Sequence, residues 1–154
     1  MSVEIERKFL LAGNTWRDLA PGKEYRQGYV RDGQGCTVRV RSTCDQGYLT
    51  IKGSGNGISR LEYEYEIPVE EADAMLDQLC RKPIIEKTRY TIPYAGFIWE
   101  VDEFHGENQG LIVAEIELEF EEQPFEKPEW VGEEVTGDVR YFNACLAKHP
   151  FSQW

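Results

Sequence analysis

The sequence predicts a mainly β chain of the α+β class, whose short strands form a sandwich or a barrel beneath a few covering helices. Three observations carry that expectation. Roughly eight short runs alternate apolar and polar residues, the period of a half-buried strand. Hairpin-type turns rich in Gly, Asn or Asp separate most of them. The charged positions, moreover, are sorted by sign from run to run.

The first strand spans residues 3–11, with Glu4, Glu6 and Lys8 on one face and Val3, Ile5 and Phe9 on the other. A helical turn around Trp16–Leu19 lies between Gly13-Asn14 and Pro21-Gly22. Strand two covers 25–31 and ends in the hairpin signal Asp32-Gly33-Gln34-Gly35. Strand three, 37–42, opposes Val38 and Val40 to Arg39 and Arg41, and strand four, 48–52, opposes Leu49 and Ile51 to Lys52. The link Gly53-Ser54-Gly55-Asn56-Gly57 lacks the Gly-Lys-Ser/Thr of a phosphate loop and precedes a strand, so it reads as a hairpin. Strand five, 60–67, alternates Leu61, Tyr63, Tyr65 and Ile67 with Glu62, Glu64 and Glu66.

Pro68 closes that strand. A helix over 70–80 follows as a structural cover, with Ala72, Met75, Leu76 and Leu79 at helical spacing and Arg81 and Lys82 at its end. Strand six, 84–92, carries Ile85, Lys87 and Arg89 on one side. Strand seven, 97–104, carries Glu100 and Asp102, and strand eight, 111–120, carries Glu115, Glu117 and Glu119. A last helix is expected to start with Asp138 as its N-cap and to end near His149-Pro150.

The 154 residues read as one domain, 1–154, large enough to bury a core. The 17 basic and 28 acidic residues leave a net charge of −11, which argues against nucleic acid or an anionic membrane as partner. No apolar run is long enough to span a membrane, and Glu4 and Glu6 do not suit a secretory leader, so the expected location is cytoplasmic. Cys36, Cys44, Cys80 and Cys145 show no zinc spacing and read as reduced thiols packed as small hydrophobes; His105 and His149 read as structural or surface residues.

Sorting by sign is what an ordinary wet sheet avoids. Opposite charges across neighbouring strands contribute about 0.2–1 kcal/mol per pair, and like charges directly opposed are destabilising. Closing the sheet with its polar face inward resolves the conflict by setting a cationic wall against an anionic one. The outer apolar face then needs cover, for which the two helices, or a second copy in a homodimer, are candidates. Five basic groups suit a ligand with closely spaced negative charges, and carboxylates tolerate such a ligand only with a hard cation between them. That combination points to metal-dependent phosphoryl transfer.

These residues resemble the CYTH family, the triphosphate tunnel metalloenzymes. The motifs are Glu4-x-Glu6-x-Lys8, Arg39-x-Arg41, Thr50-Ile51-Lys52, Arg60-x-Glu62-x-Glu64, Glu86-Lys87-Thr88-Arg89-Tyr90 and Glu115-Ile116-Glu117, in this order over nearly the whole chain. The resemblance implies an eight-stranded antiparallel closed barrel whose tunnel binds triphosphate with Mg²⁺ or Mn²⁺. By that similarity Lys8, Arg39, Arg41, Lys52, Lys87 and Arg89 hold phosphates, while Glu4, Glu6, Glu62, Glu64, Asp102, Glu115 and Glu117 bind metal. Glu4, Glu6, Lys87, Glu115 and Glu117 are the expected catalytic set.

Tyr29 is similar to a family tyrosine near the strand-six lysine, with plain aromatic packing as its other reading. The segment from Trp130 to Tyr141 also resembles the family's and is assigned packing only. Members hydrolyse tripolyphosphate, thiamine triphosphate or RNA 5′-triphosphate, or cyclise ATP. The His-Phe pair usual in the cyclases is absent upstream of Glu4, and the chain has little room for a nucleobase pocket. Hydrolysis of inorganic tripolyphosphate is therefore the expected activity, with a cyclase, an organic triphosphatase or a non-catalytic polyphosphate-binding module as rivals.

Overall fold

Alternation along the strands becomes architecture in the computed structural model, which describes residues 3–32, 35–54 and 58–154. The strands are β1 (Val3–Leu11), β2 (Gly22–Asp32), β3 (Cys36–Ser42), β4 (Gly47–Gly53), β5 (Ser59–Ile67), β6 (Ile85–Tyr94), β7 (Phe97–Phe104), β8 (Ile112–Glu117) and a short β9 (Val131–Glu134); the α-helices are α1 (Val69–Gln78) and α2 (Asn143–Lys148). Neighbours pair antiparallel in the order β5-β4-β3-β2-β6-β7-β8-β1, and β1 returns to β5. The mostly antiparallel sheet thus closes into a ring of eight strands.

β1 closes the ring because its two edges serve three partners. Val3–Ile5 pair with β5, Glu6–Leu10 pair with β8, and β9 joins at Phe9 and Leu11 with an irregularity in register between them. The ring order puts the charge sorting into space. Strands β4, β3, β2 and β6 stand together with the basic positions, and β7, β8, β1 and β5 stand together with most of the acids.

Outside the ring the apolar faces are covered in patches. The outer face of β6, β7, β8 and β1 buries Phe9, Ile92, Trp99, Val101, Ala114 and Ile116 against Trp16, from the 3-10 turn Thr15–Asp18, and against Trp130 and Phe125. α1 lies across β2, β3 and β4, packing Ala72 and Leu76 on Val40. It starts one residue earlier and ends sooner than the sequence suggests. Leu79 lies past its end, 62% exposed and outside the buried stripe. Lys82 does complement this helix, donating to the Leu76 carbonyl. On β4 and β5, Ile51, Leu61, Tyr63 and Tyr65 stay exposed.

α2 corrects one expectation. It covers no outer face. Its Leu146 and Ala147 pack instead with Tyr29, Ile85, Phe104, Leu111 and Val113, closing one end of the ring with apolar side chains. The single last helix is also broken in two. Asp138 caps a 3-10 turn, Val139–Tyr141, by accepting from Arg140 N, and Phe142 is extended before α2 begins. That break lets the chain turn into the end of the ring.

Other boundaries shift for local reasons. β2 begins at Gly22, where a Cβ would lie 2.5 Å from Thr88 Cγ2. β8 ends at Glu117, because Glu119 N turns to the Gln123 side chain and Phe120 is left 53% exposed. β9, assigned only packing from sequence, is a strand because Arg7 and Glu134 pair across it and Val135 N donates to Lys8 O. Of the two Gly-rich links, Gly33, Gln34, Gly55, Asn56 and Gly57 lie outside the described residues.

The four cysteines are free, Cys80 buried but Cys44 exposed instead of packed. Among the described residues no helix is long and apolar enough to cross a membrane.

Gly47 sets how closely α1 approaches β4, since a Cβ there would sit 2.7 Å from Ala72 Cβ and 3.0 Å from Ile67 O. Gly47→Ala is expected to destabilise the fold by about 1–3 kcal/mol through overpacking, read as a lower urea midpoint with an unchanged slope.

Candidate active site

The inward face of the ring surrounds a cavity of about 290 Å³. Its basic wall comes from alternate positions of three strands: Arg39 and Arg41 on β3, Lys52 on β4, Lys87 and Arg89 on β6. Its acidic wall comes from Glu4 and Glu6 on β1, Glu62 and Glu64 on β5, Glu100 on β7, and Glu115 and Glu117 on β8. Lys8 continues the β1 alternation among the acids, and Tyr29 also borders the cavity. Every residue expected at the site therefore lines one space, Asp102 excepted.

Asp102 sits behind the wall, 2% exposed. Arg89 grips both its oxygens at 2.7 and 2.8 Å, and Lys87 Nζ reaches it at 2.8 Å. This places Asp102 as a counter-ion that fixes two cations, not as a carboxylate open to the cavity. Burial lowers the Lys87 ammonium to about 7, since one carboxylate serves two cations and Arg89 takes both oxygens. Burial also raises Asp102, but Arg89 and Lys87 outweigh it and hold the carboxyl at about 2.

Elsewhere the walls meet at their seams. Lys52 reaches Glu4 at 2.9 Å and Glu62 at 3.4 Å, Arg39 reaches Glu64 at 3.5 Å, and Lys8 reaches Glu115 at 3.8 Å. Two guanidinium groups keep donors to spare among the described residues. Arg39 Nε is buried without a partner. Arg41 makes no ion pair among the described residues, donates to Gln27 Oε1 at 3.3 Å, and is lowered to about 10 by burial and by Arg39 and Arg89. A pair of guanidinium groups with spare donors beside a cavity is a seat for an anion with several oxygens.

The acids crowd one another. Glu6 stands directly opposite Glu117 across β1 and β8, and Glu100 opposite Glu115 across β7 and β8. Like charges in such positions repel. Glu62 is pushed up to about 7 by burial and by its hydrogen bond to Glu4, while Glu4 overcomes its own burial through Glu62 and Lys52 and falls to about 2. Glu6 is raised well above the usual carboxylate range by burial and by Glu115 and Glu4, and Glu117 is raised by burial and by Glu4 and Glu100. Glu62 with Glu4, and Glu6 with Glu115, are each a raised and a lowered carboxyl joined by a hydrogen bond, a proton's place that a cation could take.

Among the described residues no three His, Cys, Asp or Glu side chains already converge to enclose a metal. The donor set is nonetheless all oxygen and strongly anionic, the chemistry that a hard divalent cation takes. The histidines lie elsewhere: His105 Nε2 meets Thr88 Oγ1 at 2.7 Å, and His149 Nε2 meets the Gln153 carbonyl.

Sequence reading missed Gln27, Phe142 and Asn143. Gln27 and Tyr29 share a strand face, so alternation alone pointed Gln27 inward. Nothing signalled Phe142 and Asn143, which arrive from the far end of the chain and border the cavity only because the last helix is broken.

Comparison with known proteins gives the family of the chain. The CYTH domain profile matches residues 2–145. A protein of Acetivibrio thermocellus named inorganic triphosphatase is 56% identical over 100% of this chain and 99% of its own length. One of Nitrosomonas europaea with the same name is 39% identical over 94% of this chain and 96% of its own. The crystal structure of the inorganic triphosphatase NE1496 matches with a TM-score of 0.66 and 35% identity, covering 93% of this chain and 96% of that one. With the profile spanning every described strand and a relative aligned over the full chain, the chain belongs to the CYTH domain family.

Proposed function

We infer that this protein hydrolyses inorganic tripolyphosphate to pyrophosphate and orthophosphate inside the ring, with Mg²⁺ or Mn²⁺ as the cation. The observation that carries the reading is the two-walled cavity, in which Arg39 and Arg41 keep donors open opposite a crowd of carboxylates. The relatives named inorganic triphosphatase support it. The cavity is small and mostly charged, with Tyr29 and Phe142 its aromatic lining among the described residues. Such a space favours a bare phosphate chain over a bulky organic group.

In this reading Lys8, Arg39, Arg41, Lys52, Lys87 and Arg89 hold the phosphate oxygens and neutralise them. Glu4, Glu6, Glu62, Glu64, Glu115 and Glu117 receive the cation and orient the attacking water. A divalent cation held by these carboxylates would supply Lewis-acid polarisation of the phosphate oxygens. The water oxygen bonds to that phosphorus, the anhydride P–O bond breaks, and the bridging oxygen leaves on pyrophosphate. A carboxylate of the acidic wall takes the water proton. Asp102 keeps Lys87 and Arg89 in place throughout. Most of the rate gain is positioning and electrostatics, as in other phosphoryl transfers.

A substrate panel tests the reading directly. Phosphate release from tripolyphosphate with Mg²⁺ or Mn²⁺ is expected to exceed release from ATP or thiamine triphosphate, and faster ATP turnover with cyclic AMP appearing would overturn it. Arg41→Ala removes a charge-assisted contact, worth about 1.5–3 kcal/mol, so kcat/KM for tripolyphosphate is expected to fall about tenfold to a hundredfold. Glu117→Gln is expected to abolish most metal-dependent turnover while the far-UV circular dichroism spectrum and melting temperature hold.

The raised carboxyls set a pH dependence. A Glu62 carboxyl lifted to about 7 holds its proton in the folded state after the unfolded chain has released it. Its contribution to stability is thus full below the ordinary carboxylate value and lost as pH rises through about 7. Without added metal, wild type is expected to lose more melting temperature between about pH 5.5 and 8 than Glu62→Gln does, and millimolar Mg²⁺ is expected to restore it by replacing the proton. Parallel melting curves for both proteins would refute this account of the pair.

A further inference from the structure

Two amides, one fully buried and one partly, take no part in the chemistry above. Gln27 on β2 is fully buried, and Asn143 opens α2 at the closed end of the ring. Asn143 Oδ1 accepts from Lys87 Nζ at 3.1 Å and from Gln27 Nε2 at 3.2 Å. Gln27 Oε1 accepts from Arg41 Nε at 3.3 Å, and its Nε2 also donates to the Tyr29 hydroxyl at 3.1 Å. Hydrogen bonds therefore run from Lys87 through Asn143 and Gln27 to Arg41, joining β6, α2, β2 and β3. An ammonium and a guanidinium can only donate, so each end of the path requires an oxygen.

β2 is the strand between the two cationic pairs, Arg39 with Arg41 on β3 and Lys87 with Arg89 on β6. It presents no cation to the cavity among its described side chains. Gln27 stands in register with Arg41, and Tyr25, in register with Lys87, stacks under Arg41 and Arg89 at 5.2 Å each. A carboxylate in the place of either amide would hold its cation more tightly but cancel its charge. An amide oxygen orients the cation and leaves its charge for the substrate.

We propose that Gln27 and Asn143 are positioning residues, an uncharged acceptor pair that aims Arg41 and Lys87 at the phosphates without neutralising them. The proposal rests on the tripolyphosphatase reading and adds a reason why the last helix enters the ring. Asn143→Asp and Gln27→Glu keep size and acceptor but add charge. Asn143→Leu and Gln27→Met keep bulk but remove the acceptor.

The proposal expects all four to raise KM for tripolyphosphate about tenfold with kcat changed less than about threefold, the pattern of lost binding that ground and transition state share. The shift in melting temperature produced by sodium tripolyphosphate in metal-free buffer, a readout that needs no turnover, is expected to shrink in each. The double variant Asn143→Leu/Gln27→Met is expected to cost less than the product of the single effects, because both break one path. A packing role alone would spare the two charged variants, so KM and ligand shift within twofold of wild type in Gln27→Glu and Asn143→Asp overturn the proposal; should Asn143→Asp fail to fold, Gln27→Glu decides. Wild-type turnover with unchanged variants overturns the amide role alone, whereas a wild type that neither binds nor hydrolyses tripolyphosphate overturns the functional reading as well.

Discussion

The rest of the structure depends on one electrostatic constraint: side chains of like sign stand on adjacent strands and face a common interior. An open sheet would minimise that repulsion by dispersing the charges in water. Here the ring holds them together, and each wall is the other's partial counter-charge. Asp102 makes this workable at the β6–β7 seam. With Arg89 on both its oxygens and Lys87 beside it, a fully buried carboxylate secures two cations that would otherwise repel each other. Breaking such a buried set by removing one member leaves uncompensated charge in a low-dielectric place, which is far costlier than losing an exposed pair. The arrangement suits a binding site better than a stability device, because similar-sized apolar residues could have held the strands together without the cost of burying charge.

Closure itself is a hydrogen-bonding problem that falls to β1. A ring has no free edge only if some strand satisfies partners on both sides along its whole length. β1 divides the task, giving its first residues to β5 and its last to β9 on the same edge, while β8 occupies the other. That division explains why the C-terminal segment becomes part of the architecture. β9 covers the edge that β5 leaves behind, Thr136 Oγ1 accepts from Lys8 N, and the Tyr141 carbonyl accepts from Lys8 Nζ. Lys8, a cation set among the acids, is thus held by the tail.

What was legible in the sequence was whatever obeys a period of two. Glu4 and Glu6, Arg39 and Arg41, Glu62 and Glu64, and Glu115 and Glu117 each alternate with apolar residues, and the sign of each run could be read without knowing which strands touch. Alternation assigns a residue to a face, however, and says nothing of depth along the ring. Asp102 shares its face with Glu100, yet Glu100 borders the cavity and Asp102 lies behind Arg89. The distinction arises from which carboxylate a buried arginine captures, a tertiary fact. α2 was misjudged for a related reason. Its apolar residues read equally well as cover for an outer face or as a stopper for one end, and only Ile85, Phe104 and Val113, apolar at inward positions of charged strands, decide for the end.

Those three residues also explain the cavity's polarity along its axis. On β6 the inward series runs Ile85, Lys87, Arg89, and on β8 it runs Val113, Glu115, Glu117, so each strand passes from apolar to charged in the direction away from α2. The antiparallel β7 runs the other way, from Glu100 through Asp102 to Phe104. The closed end therefore has low dielectric, and the groups at its border, Lys87 and Asp102, feel burial most strongly while the groups further out meet solvent. The apolar floor of Ile85, Phe104 and Val113 marks the depth at which the charged walls end. Depth and charge are in this way set by the same strands, since each inward series that supplies a charged wall also supplies a residue of the apolar floor.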